Sequence, residues 1–285
     1  MPELPDVETI VRALQQGGRE GPAVLGRRLQ SADILWERTL AQPSAVEFIS
    51  RVPGQVVEGV SRRGKFVVIK LSQDFLLAHL RMSGDLRVEP LQDEKAQSLP
   101  LQTHDRLVLN FADGQRLVFN DPRKFGRVWL VADLQPVLGR LGPEPLDPGF
   151  NAQQFYAKLH THRRLLKPLL LDQAFIAGLG NIYTDEALHV AGLHPTRHAH
   201  ELDEIQAQKL LQAIRQVLEE GIRRNGASFD WVYRGGSFQN SFRVYQRTGK
   251  PCPVCGTPVE RLVIGQRGTH FCPVCQPRTK TELLT

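Results

Sequence analysis

At 285 residues, 41% of them apolar, the chain is long enough for two domains and buries a core without covalent staples. Its formal charge of +6 suits an anionic partner without identifying one. No run approaches the roughly 18 uninterrupted apolar residues of a membrane span, and the acidic, proline-rich opening Met1-Pro-Glu-Leu-Pro-Asp-Val-Glu8 is unlike a signal peptide, so the expectation is a cytoplasmic protein with no membrane partner.

In chain order, Val7, Ile10, Val11 and Leu14 fall on one helical face after Pro5, and Gly17-Gly18 ends that pattern, which predicts a short amphipathic helix. From about Val24 to Val131 the signal is strands: Val56-Val57, Phe66 to Leu71, Phe75 to Leu80, Leu86 to Val88, Arg106 to Phe111, Leu117 to Phe119 and Val128 to Val131. Asp113-Gly114 predicts a hairpin between two of these runs, and many short antiparallel strands predict a β-sandwich. The proline-rich stretch Leu141 to Gly149 reads as a connector. Beyond it the period becomes helical near Ala152 to His160, Arg164 to Asp172, Asn181 to Ala191 and Asp203 to Asn225. Gly226 to Asn240 is Gly/Ser-rich and reads either as a plain linker or as a lid loop.

The four cysteines are Cys252-Pro-Val-Cys255 and Cys272-Pro-Val-Cys275, two C-x2-C pairs sixteen residues apart. Two tight turns of this kind supply the tetrahedral sulfur cage of one structural zinc ion, with no position left open for catalysis. Two disulfides are the alternative, which a reducing compartment disfavours. Between the pairs, Gln266-Arg267-Gly268-Thr269 reads as a hairpin tip presenting a cation. From Ser241 onward seven Lys or Arg (243, 247, 250, 261, 267, 278 and 280) face two Glu, a footprint suited to phosphate. The expected fold is α+β and multidomain: an N-terminal helix with an antiparallel β-sandwich (1–135), a linker (136–150), a helical domain (151–240) and a zinc ribbon (241–280).

Pro2 follows the initiator Met, and removal of Met1 leaves a secondary amine able to form an iminium ion with an electrophilic carbon. Glu3, Asp6 and Glu8 lie beside it, either as helix-start carboxylates or as catalytic groups. Asn181 opens a helix after Gly178-Leu-Gly180, as an N-cap, a phosphate contact, or both.

The opening Met1-Pro-Glu-Leu-Pro-Asp-Val-Glu-Thr9 resembles that of the bacterial formamidopyrimidine-DNA glycosylases. The resemblance continues through Arg63-Gly-Lys-Phe66, His79-Leu-Arg-Met-Ser-Gly-Asp85, Asn120-Asp-Pro-Arg-Lys-Phe-Gly126, Leu141-Gly-Pro-Glu-Pro145, Gly178-Leu-Gly-Asn-Ile-Tyr183, Ala191-Gly-Leu-His-Pro195 and the terminal cysteine ribbon. Asp6 departs from the pattern, which usually has Glu there. The resemblance implies a helix–two-turn–helix domain with a lesion-capping loop near Ser228 to Tyr233. It further implies a monomer that excises oxidised purines from damaged double-stranded DNA and then cuts the strand, with no nucleotide cofactor. In that reading Pro2 is the nucleophile, Glu3 moves a proton at the sugar, and Lys65 holds a phosphate near the lesion. Met82, Arg123 and Phe125 fill the gap left by the extruded base. His79, Asn181 and Arg267 add contacts to the DNA. The related endonuclease VIII-like branch, which prefers oxidised pyrimidines, is disfavoured by Leu4 and by the Asn120-to-Phe125 motif, and a non-catalytic zinc-ribbon binder remains as a reading of another class.

Overall fold

The computed structural model describes residues 1–18, 21–91, 99–228 and 235–278. The chain forms two compact units, one of residues 1–139 and the other of 140–227 and 237 onward, with the described residues of 228–236 grouping with the first. Most of the expected lesion-capping stretch, from Phe229 to Tyr233, lies outside the described residues, as does Lys280 of the basic tail. Among the described residues no helix is long and apolar enough to cross a membrane.

The first unit opens with α1 (Leu4–Gln16). It starts before Pro5 rather than after it, because Glu3 and Asp6 form a reciprocal capping box and Pro5, in the first turn, lacks only an N–H that would be unpaired anyway. Val7, Ile10, Val11 and Leu14 are buried as the helical period requires. There follow β1 (Leu29–Ile34), β2 (Leu40–Gln42), α2 (Ala45–Arg51), β3 (Val57–Arg63), β4 (Phe66–Leu71), β5 (Phe75–His79), β6 (Asp85–Pro90), β7 (Asp105–Phe111), β8 (Gln115–Asn120) and β9 (Arg127–Val131). They make a four-stranded sheet, β1-β7-β8-β6, and a five-stranded one, β2-β9-β5-β4-β3. All the ladders are antiparallel except the short β2–β9 pair.

Alternate residues of both sheets enter one core: Val67, Ile69, Leu76, Ala78, Val128 and Leu130 from one, Leu86, Val88, Leu107, Leu109, Leu117 and Phe119 from the other. Each such large aliphatic or aromatic side chain contributes about 1.5–3 kcal/mol on burial. Three strands depart from the expectation. β1 and the three-residue β2 were not separately legible, and β3 was legible only as Val56-Val57. β1 and β3 carry a bulge, between Leu29 and Ser31 and between Val57 and Gly59. Each therefore buries every third residue, Leu29 and Ala32 in one and Val57 and Val60 in the other, and no alternation of period two exists for a sequence reading to find.

After the short α3 (Gln135–Leu138), the second unit contains α4 (Ala152–His160), α5 (Leu166–Leu171), α6 (Asn181–Ala191) and α7 (Glu204–Arg223). It ends in the hairpin of β10 (Glu260–Ile264) and β11 (Arg267–Phe271). α4 and α7 begin in capping boxes, Asn151 with Gln154 and Asp203 with Gln206. α6 differs in kind, for every side chain from Ile182 to His189 is buried, polar ones included. Asp185 on α6 pairs with Lys167 of α5, both without solvent exposure of the side chain. Its second oxygen accepts the backbone N–H of His270 at 3.0 Å. Glu186 accepts the N–H groups of Arg243, Val244 and Tyr245 at 2.8–2.9 Å. Burial raises the Glu186 pKa, and these three donors oppose the rise.

A buried pair of this kind is sensitive to losing one member. Lys167→Met leaves Asp185 charged and without its cation, and we expect it to destabilise the second unit by about 3–5 kcal/mol in urea unfolding. Lys167→Met combined with Asp185→Asn keeps an acceptor for His270 and should recover most of that loss; an additive double mutant would refute the coupling.

Candidate functional site

The first site lies where α1 begins. Pro2 is buried, and Glu3 and Asp6 are 2% and 3% exposed. Asp6 Oδ2 accepts the Glu3 N–H at 2.7 Å, so the shorter carboxylate at this position reaches back and fixes the backbone of the residue beside Pro2. Lys65 sits in the β3–β4 turn, whose Gly64 takes a positive φ of 56°, and is 5% exposed. Arg62 braces that turn against α1: Nε donates to Glu8 at 3.2 Å and Nη1 to the Gly64 carbonyl at 2.9 Å. The α-amine of Met1 senses the whole group. Burial lowers its pKa, Glu3 and Asp6 pull it up, and Lys65 and Arg123 push it down. Sequence reasoning grouped Pro2, Glu3 and Lys65 and read Arg123 with Met82 and Phe125 instead; the Met1 amine feels Glu3, Asp6, Lys65 and Arg123 alike.

Beside this corner, two turns carry the half-buried Met82 and the exposed Arg123 and Phe125. They share an anchor that sequence reasoning missed, the carboxylate of Asp121, itself 1% exposed. Oδ1 accepts the Ser83 hydroxyl and, at 3.2 Å, the Arg123 N–H, while Oδ2 accepts the Gly126 N–H at 2.7 Å. Ser83 Oγ also accepts the Arg123 N–H at 3.1 Å, so both turns are fixed by one hydrogen-bonded cluster. Gly84 closes the first turn because a Cβ there would stand 2.6 Å from the Leu80 carbonyl oxygen. The result is that Arg123 and Phe125 project outward, Phe125 with 57% exposure, while Lys124 folds back over the Trp36 ring at 4.0 Å. The local signal for the anchor was Asp directly before Pro122, a turn-initiating pair.

His79 is in a different situation. It is 9% exposed, packs edge-on to Phe66 at 4.7 Å, and its Nδ1 accepts the Arg81 N–H at 3.1 Å. Burial, reinforced by Arg81 and Lys65, lowers its pKa to about 3. It is a neutral ring that shapes the Met82 turn. The exposed histidine nearby is His104, whose carbonyl accepts the Asp121 N–H at 2.8 Å; it borders the Arg123 turn and carried no motif that would have singled it out.

In the second unit, Gly180 is the N-cap of α6 and Asn181 is its first residue, so the Asn181 side chain does not cap. Its Nδ2 donates to the Gly268 carbonyl at 3.0 Å, tying the helix start to the ribbon hairpin. The hairpin tip is Gly265-Gln266 rather than the expected 266–269 segment, since Ile264 pairs with Arg267 and the two residues between them have φ of 55° and 61°. A two-residue turn of this hand needs positive φ at both positions, which Gly265 grants and Gly268, inside the ladder, does not use. Arg267 begins β11 and is exposed.

The four cysteines are free thiols, and their sulfurs all lie within 4.8 Å of one another. Cys252 to Cys275 is 3.8 Å and Cys255 to Cys272 is 3.4 Å. A tetrahedron with zinc–sulfur bonds of about 2.3 Å has edges of roughly 3.8 Å, so the cage fits one zinc ion. A disulfide requires sulfurs about 2.05 Å apart, and that alternative falls away.

The model of the formamidopyrimidine-DNA glycosylase N-terminal domain matches residues 1–128, that of its H2TH domain 141–231, and the zinc finger found in FPG and IleRS 249–278. A Protochlamydia amoebophila protein named formamidopyrimidine-DNA glycosylase is 42% identical over 98% of this chain and 100% of its own length. One of that name from Enterococcus faecalis is 39% identical over 97% of each. Lactococcus lactis Fpg, solved with DNA containing an abasic site, superposes with a TM-score of 0.87 at 34% identity, over 97% of this chain and 100% of that one. MutM bound to DNA with carbocyclic 8-oxo-G gives 0.86 at the same identity and coverage. With sequence and fold agreeing from one end to the other, the chain belongs to the formamidopyrimidine-DNA glycosylase family.

Proposed function

We propose that this chain is a bifunctional DNA glycosylase and AP lyase that removes oxidised purines, 8-oxoguanine and formamidopyrimidines, from duplex DNA. The observation that carries the reading is the set of Glu3, Asp6, Lys65 and Arg123 whose charges act on the chain's own N-terminal amine. Once Met1 is removed, the Pro2 nitrogen becomes a secondary amine in these surroundings. Burial and the two cations favour its neutral form, which holds the lone pair needed for attack.

Attack on C1′ breaks the bond to the damaged base and leaves Pro2 covalently attached to the sugar. Glu3, beside the nucleophile, moves the proton at the deoxyribose that ring opening requires. The iminium formed acidifies C2′, and loss of that proton expels the 3′ phosphate by β-elimination; δ-elimination of the 5′ phosphate follows. Lys65 holds phosphate close to this corner. Extrusion of the base leaves a gap that Met82 and Phe125 fill by wedging, while the Arg123 guanidinium donates to the acceptors of the orphaned cytosine. Asn181 retains an amide N–H beyond the one given to Gly268, and with Arg267 it contacts the DNA backbone. His79 serves by shaping the Met82 turn, and His104 lies at the same margin as Arg123.

A protein in which Met1, or a tag, still precedes Pro2 should fold and bind DNA but release no base and give no borohydride-trapped adduct. Full activity with the amine blocked would exclude Pro2 as nucleophile, and a folded, unblocked protein that never traps would be a binder only.

Glu3→Gln keeps size and polarity without an exchangeable proton. Excision of 8-oxoguanine should fall by roughly 10²–10⁴. An abasic site already presents an aldehyde to the amine, so trapping on abasic DNA should persist; equal losses in both assays would make Glu3 a positioning group.

Arg123→Ala should narrow the preference for cytosine over adenine opposite the lesion by about 1–3 kcal/mol, measured as the ratio of excision rates. An unchanged ratio would remove Arg123 from reading the partner base.

A further inference from the structure

Helix α6 presents Asn181, Asp185 and His189 at successive spacings of four residues, hence on one face. The first two meet the hairpin, at Gly268 and His270. The third reaches the metal cage: His189 Nε2 lies 3.3 Å from Cys252 Sγ. Both residues are buried, His189 with 4% exposure and Cys252 with 3%, whereas Cys255 is exposed and its sulfur has water to solvate it. A thiolate in a four-sulfur zinc cage carries more negative charge than the metal cancels, and a buried one depends on protein donors.

We propose that His189 is an outer-shell residue of the zinc site, donating Nε2–H to the Cys252 thiolate and so joining the metal directly to helix α6. The tautomer follows from the surroundings. His189 Nδ1 is buried with no hydrogen-bond partner among the described residues. A proton on Nδ1 would leave a buried donor unpaired and set the Nε2 lone pair against sulfur, so the proton belongs on Nε2.

The second knuckle is held by the same helix end. Cys272 N–H donates to Gln276 Oε1 at 2.9 Å, and Gln276 Nε2 donates to the Leu193 carbonyl just past α6, also at 2.9 Å. Gly192, the left-handed C-cap, brings the backbone close enough that a Cβ would stand 3.4 Å from the Cys275 carbonyl oxygen. The Cys272 knuckle is thus anchored just past the end of α6 and the Cys252 knuckle on α6 itself, where the anchor bears on a metal-binding sulfur.

The test uses the full-length, zinc-loaded protein and excess metallochromic chelator. His189→Phe keeps a flat ring and removes the donor; it should weaken zinc binding by roughly 10–100-fold, the usual effect of losing an outer-shell partner. His189→Gln restores an N–H and should recover most of the affinity. With cobalt(II) in the site, the thiolate-to-metal band should move to lower energy in the Phe variant and return in the Gln variant, because an unbonded sulfur is richer in electrons. Unchanged zinc affinity and an unchanged cobalt spectrum in His189→Phe would reduce His189 to a packing residue. If that variant does not fold, nitrogen NMR of the unaltered zinc-loaded protein decides: Nε2–H supports the assignment, and an Nδ1–H tautomer overturns it.

Discussion

Helix α6 is buried along Ile182 to His189 yet carries Asp185, Glu186 and His189, and a polar group removed from water must be paired or destabilise the fold. That one constraint organises the second unit. Asp185 recruits Lys167 and the β11 backbone, Glu186 gathers three successive N–H groups from 243–245, and His189 meets the zinc cage. The ribbon is small, and four thiolates around zinc fold its knuckles locally without aiming Arg267. The aiming comes from the hydrogen bonds that fix the hairpin to the helix whose first residue is Asn181.

The same logic operates in the first unit on a smaller scale. Asp121 is buried inside a turn and satisfies its oxygens with Ser83, Arg123 and Gly126. One carboxylate therefore holds two loops, one bearing a half-buried thioether and the other an exposed guanidinium and phenyl ring. At the N-terminus, Glu3 and Asp6 use a helix cap to hold two carboxylates beside the amine. Capping and catalysis need the same local geometry, so neither role excludes the other.

Much of this was legible in the residues. The sequence reading placed α4 and α6 at their observed bounds, because α4 starts at the Asn151–Gln154 capping box and α6 lies between Gly180 and Gly192. The C-x2-C pairs specified a metal cage, since thiolate chemistry and knuckle geometry are local. β1 and β3 were obscured by their bulges, and the hairpin tip was misplaced by two positions because Gly265 and Gly268 are equally good turn residues until the strand register is known.

By itself the sequence determined which side chains exist to do chemistry: a Pro2-Glu3 start, four thiols in two turns, and exposed-type residues Arg123, Phe125 and Arg267 within motifs of a recognisable family. Those properties depend on residue identity and short spacing. Only the tertiary structure decided that His79 is buried and neutral, that Asp121 fixes the turns of Met82 and Arg123, and that Lys167, Asp185 and His189 tie α5, α6 and the ribbon together. Residues 167, 185, 252 and 270 are far apart along the chain, and whether a charge or an imidazole is solvated or paired depends on what distant segments bring to it.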